Sequence, residues 1–228
     1  MDTTPLRVRI LDTLVRKSTL KQKVFDHTFA VFNLLKETLL EMASELDDQL
    51  DGRLDRRVRI EYRDRGKFEV QLQVANDVLI FQMHTDVFDF DAQHPVRQTP
   101  YVQADAENAY CGVVNIYNFL SDSFKFNRNA DEGYLIGRLF INRERRYFVE
   151  GKGQTSLRAA DFGRAEIDRD ALVTVLEEAI DFALGFDLLT TPYETLARVT
   201  VDQFNTKMDN SKFVTGKRLG YEFDTKDV

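Results

Sequence analysis

The chain has 228 residues, 43% of them hydrophobic, 30% charged and 11% aromatic, with 31 basic against 38 acidic side chains and a net charge of −7. Eighteen Phe and eight Tyr exclude a disordered chain, no apolar run of about 18 residues offers a membrane span, and the acidic balance argues against a protein that coats nucleic acid. The opening Met1 to Arg7 lacks the basic-then-apolar layout of a secretory signal, and the single cysteine, Cys111, excludes an internal disulfide, so a soluble cytoplasmic protein is expected.

Residues 5–10 alternate apolar and basic side chains, which predicts an arm or edge strand within 1–18. Thr19 and Gln22 have the spacing of a capping box and open a helix over 19–51. Its apolar positions, Val24, Val31, Leu35, Leu39, Met42, Leu46 and Leu50, recur at helical spacing, and Gly52 ends it. Phe25, Phe29 and Phe32 widen that stripe into a second face. A helix so long and so broadly apolar needs two surfaces to cover it. Phe25, Phe29 and Phe32 are therefore the candidate interface of a homo-oligomer or protein partner.

From residue 57 to 150 the period changes to two. Val58, Ile60 and Tyr62 alternate with charged residues, Asp64-Arg65-Gly66 turns, and Phe68, Val70, Leu72 and Val74 alternate with polar ones. A third strand over 78–84 is apolar on both faces and reads as central. Residues 91–109 hold two prolines and no period, which predicts a long loop acting as a lid, binding loop or tether. Further strands are expected at 110–119, 133–141 and 146–150. Asp168 caps a helix ending near Gly185, and Thr191 opens a second one running to about 207, within a helical pair at 168–208 followed by a tail at 209–228. The order predicts one α+β domain: a mostly antiparallel sheet of about six strands, with a long N-terminal helix and two C-terminal helices on one face.

Three chemistries compete. The first is regulatory or protein interaction without catalysis, by self-association through the long helix. The second is anion or nucleic-acid binding by an Arg-rich, aromatic sheet face built from Arg57, Arg59, Arg63, Arg138, Arg143, Arg145 and Arg146, with Phe140, Tyr147 and Phe148 as stacking rings. The third is a metal-assisted enzyme using His84, Asp86, Asp91 and His94, since imidazole plus carboxylate suits a divalent ion. No catalytic set assembles from the remaining residues. Cys111 lies in an apolar strand and reads as a small buried hydrophobe, and Gly151 to Ser156 lacks the P-loop order. The sequence identifies no cofactor, and interaction is the leading expectation, with nucleic acid not favoured.

Overall fold

The computed structural model describes residues 5–55, 58–129, 131–151, 157–186, 193, 200 and 201. Six strands form one sheet in the order of the chain, each antiparallel to the next: β1 (Ile60–Asp64), β2 (Glu69–Val74), β3 (Asp77–Met83), β4 (Cys111–Leu120), β5 (Tyr134–Asn142) and β6 (Tyr147–Gly151). The helices are α1 (Pro5–Thr13) and α2 (Thr19–Leu50) before the sheet, the short α3 (Pro100–Ala104) and α4 (Ser121–Lys125) on either side of β4, and α5 (Arg169–Leu184) after it. The alternation read from the sequence sets the faces of the strands. Val70, Leu72, Leu79, Phe81, Met83, Val114, Ile116, Leu139, Ile141 and Val149 point into one buried core. That core is closed by α2 and α5, which also pack on each other.

The hairpin between β1 and β2 is fastened to α2 by Lys36, whose ammonium donates to Asp64 Oδ1 at 2.8 Å and to the Gly66 carbonyl at 2.6 Å. Asp64 in turn accepts from the Gly66 amide, and Gly66 takes the positive φ of 119° that the turn needs. Across the sheet α2 lies so close to β4 that a Cβ on Gly112 would stand 2.2 Å from Thr28 Oγ1. At the far end Asp168 caps α5 by accepting from the Ala171 amide, as the sequence predicts, and Gly185 ends it. The second C-terminal helix, the 209–228 tail and Arg57 lie outside the described residues.

Two expectations fail. Residues 5–10 form no strand: they are helical, as α1, and a π turn at Leu14–Ser18 joins them to α2. Thr13, Ser18 and Thr19 all have helical backbone angles, so the helix runs from Pro5 to Leu50 and Thr19 caps nothing. At 1.5 Å per residue that is about 69 Å, rather than 50. The alternating pattern would suit a strand only if it paired with a sheet edge, and residues 5–10 pair with neither β1 nor β6. Unpaired, they take the helix that Leu and Arg favour, with Pro5 at the first helical position.

The second concerns residues 91–109, which are not a bare loop. Three short helical turns run through them: a 3₁₀ turn Pro95–Gln98, then α3, then a 3₁₀ turn Ala106–Ala109. Each is capped by the side chain just before it: His94, Thr99 and Asp105 accept from the amides of Val96, Val102 and Glu107. The excursion folds over the sheet face opposite α2. There Val96, Val102 and Ala109 meet Cys111, Val113, Phe140, Phe148 and Phe162 in a second, smaller core.

Candidate functional site

The strand register decides where the candidate arginines go. Arg59 and Arg63 belong to the β1 edge, while Arg138 is on β5 and Arg143, Arg145 and Arg146 form the turn into β6. β1 and β5 are four strand spacings apart, about 19 Å, so the single positive sheet face expected from the sequence does not form. Most of these guanidinium groups also have local partners. Arg63 donates to Glu61 through Nε and Nη2, and Arg138 donates to Glu150 at 2.5 Å. Arg143 is clamped between Asp105, Glu107 and Asn108, Arg145 reaches the Ile167 carbonyl, and Arg146 pairs with Glu166. Arg143 thus ties the β5–β6 turn to the excursion. The Glu107 amide, with the Arg143 guanidinium, holds the Asp105 carboxyl below the usual range.

Beside Arg143 sits the fully buried Asn142. Its amide donates to the Tyr101 hydroxyl at 2.9 Å and to the Asn108 carbonyl, and its carbonyl accepts from the amides of Glu144 and Arg146. The arginine-rich tip is in this way a structural knot rather than an open anion site.

The metal candidates fare differently. No three His, Cys, Asp or Glu side chains among the described residues come together to hold an ion. His94 is engaged at both nitrogens: Nδ1 accepts from the Val96 amide, and Nε2 donates to Glu150 at 2.9 Å. His84 Nδ1 accepts from the Asp86 amide, and the Asp86 carboxylate is turned to solvent 3.9 Å from that ring. Yet His84, Asp91 and His94 do line one cleft of about 390 Å³. Phe88, Asp89 and Phe90, just before the excursion, wall it, and Val113, Asn115, Arg138 and Phe140 of β4 and β5 form its floor.

That floor belongs to a polar row crossing the sheet. Glu69, Gln82, Asn115, Arg138 and Glu150 stand directly opposite one another on β2 to β6. Sequence reasoning placed Asp89 beside the metal candidates but missed Phe88, Phe90 and Asn115. The one available signal was Asn115, an amide in the middle of a mostly apolar strand. Cys111 packs in the second core beneath, where burial, and then the Asp89 charge, push its thiol well above the usual range.

A second candidate surface is the helix. Phe32 is fully buried, and Phe25 and Phe29 stack at 6.2 Å and meet Phe68 edge-on, with Lys67 over the Phe29 ring at 5.0 Å. The aromatic face read as an interface is therefore turned inward, clasping the β1–β2 hairpin. The bare apolar surface lies further toward the N-terminus. Leu6, Val8, Ile10, Leu11, Leu14 and Val15 are 49–68% exposed, and no residue of Pro5–Ser18 is buried. Where the projecting part meets the body, Arg16 approaches Glu107 at 3.8 Å and Lys17 lies over the Tyr110 ring. No helix among the described residues is long and apolar enough to cross a membrane.

Compared with known proteins, the chain matches no family model, no curated protein and no solved structure.

Proposed function

We propose that this protein is an interaction module without catalytic function that self-associates through its N-terminal helix, pairing Pro5–Ser18 of one copy with the outer side of α2 of another. The carrying observation is the bare stretch of six large aliphatic side chains on a helix whose other half is packed. A contiguous exposed apolar surface of that kind marks an interaction site.

The charge along the helix supports a second copy as the occupant. Residues 5–24 contain six basic side chains and one acidic, while residues 25–50 contain six acidic and one basic. Two such helices side by side and antiparallel lay the basic half of each on the acidic half of the other, the self-complementary contact a two-fold dimer requires. The acidic half offers apolar contact as well: Leu40 is half exposed, and the small side chains of Ala30 and Ser44 are open on the same helix, where a neighbour can approach closely. The arginine reading is weaker, because its charges are divided between two sheet edges and most are paired.

Sedimentation velocity tests this on the whole chain. The expected mass is twice 26.5 kDa, with the association weakening as salt rises because opposed charges hold the pair in register. Leu11→Glu with Val15→Glu should sediment as a folded monomer. A wild-type protein that stays monomeric at high concentration and low salt overturns the proposal.

A further inference from the structure

The cleft on the excursion side of the sheet is a distinct surface, and its chemistry is amphoteric. One wall presents the carboxylates of Asp89 and Asp91. The floor presents the Asn115 amide beside the Arg138 guanidinium, which face each other across β4 and β5 in register. His84 Nδ1 accepts from the Asp86 amide, so the neutral ring carries its hydrogen on Nε2 as a donor. Beside it the Phe88 ring, 39% exposed, meets the imidazole edge-on at 4.8 Å.

Several charges here are already partnered, and that decides which ligand fits. Asp89 Oδ1 accepts from Arg97 and the Phe90 amide, and Arg138 shares Glu150 with His94. Asp91 Oδ1 accepts from the Gln93 amide, which leaves Oδ2 with no hydrogen bond or ion pair among the described residues. The Asn115 side-chain amide likewise has no hydrogen bond among the described residues; only its backbone joins the strand ladder. The open groups are thus a carboxylate on one wall, donors on the floor and at His84, and an exposed aromatic ring between.

We infer that this cleft binds a free α-amino acid with an apolar or aromatic side chain. The ammonium group sits on Asp91 and Asp89, the carboxylate takes hydrogen bonds from Asn115, Arg138 and His84, and the side chain lies on Phe88. An ammonium supplies three donors and a carboxylate only acceptors, which matches the two sides of the cleft group for group. The volume of about 390 Å³ falls at the small end of ligand sites. Arg138 spends only Nη2 on Glu150 and keeps its other donors for a singly charged carboxylate, whereas a nucleotide fits poorly: it brings no ammonium for Asp91, and its more highly charged phosphate would meet Asp89, Asp91 and Glu150. For a divalent ion, no three His, Cys, Asp or Glu side chains come together among the described residues.

The test is isothermal titration of the full chain with the standard L-amino acids one at a time, with N-acetyl-L-phenylalanine, L-phenylalaninamide and AMP as comparators. The expected result is saturable binding led by Phe, Tyr or Leu, weakened about tenfold or more when either end of the ligand is blocked. Asp91→Asn, at an exposed position that leaves the fold intact, should weaken it similarly, as should Arg138→Gln with an unchanged thermal melt. Phe88→Ala should erase the preference for large side chains. Any of three results overturns the inference: no saturable binding of any amino acid by the wild type, equal binding of end-blocked phenylalanine, or tighter binding of AMP. Because the cleft shares no residue with the aliphatic stretch of α1, either result leaves the self-association reading to its own test.

Discussion

Between Thr19 and Leu50 the long helix places Val24, Val31, Phe32, Leu35 and Leu39 under the sheet with no solvent exposure. Between Pro5 and Ser18 the same helix, richer still in Leu, Val and Ile, buries nothing. Aliphatic content does not explain the difference; the presence of a surface to lie on does. The π turn at Leu14–Ser18 marks the change, just before Leu20 becomes the first buried residue. A π turn adds a residue to the helical repeat and rotates everything before it. The projecting aliphatic side chains are thereby uncoupled from the stripe that the sheet buries. Burial makes one half structural, and its lack leaves the other half available for a partner.

The sharpest way to break this comparison is to truncate both halves alike. Phe32→Ala empties a fully buried site among Leu35, Leu39 and the sheet, and should cost about 3–5 kcal/mol in urea unfolding. If it costs no more than a surface substitution, the helix is not packed as described. A middle-sized effect tests the knot at the β5–β6 turn, which fastens the excursion to the body. Burial, with the Glu144 carboxylate accepting its hydrogen bond, holds the Tyr101 hydroxyl well above the usual tyrosine range. The folded state therefore prefers the neutral phenol. Its contribution is complete below pH about 10 and is lost as pH rises beyond that. Tyr101→Phe should shrink the alkaline decline in thermal stability without abolishing it, because burial raises Tyr147 as well; an unchanged decline would detach Tyr101 from the knot. The smallest expected effect is the most telling. Leu11→Glu and Val15→Glu should shift monomer stability by no more than about 0.5 kcal/mol, measured under conditions that keep both proteins monomeric. A loss like that of Phe32→Ala would mean that α1 packs on its own body.

Much of the sheet was legible in the chain. Alternation over 58–74 placed the first hairpin, and the doubly apolar third strand took its place inside the sheet. Asp168 and Gly185 marked both ends of α5. The excursion was misread because its order comes from single caps, His94-Pro95, Thr99-Pro100 and Asp105, each governing too few residues to make a period. The cleft was half legible: His84, Asp91 and His94 were singled out as metal ligands and do share a cavity, but hydrogen bonds to backbone amides and Glu150 give them other work.

What the sequence determined by itself was periodicity, and with it which side chains share a face, because a strand or helix repeats over a few residues whatever surrounds it. What only the tertiary structure decided was which of those faces is covered. The arginines of β1 and β5 carry the same charge and the same pattern, yet three intervening strands keep them apart. Phe25 and Phe29 resemble an interface until Phe68 is folded beneath them, and Leu6, Val8 and Ile10 resemble a strand until no sheet edge receives them. Burial depends on contacts between residues distant in the chain, and no local pattern contains them.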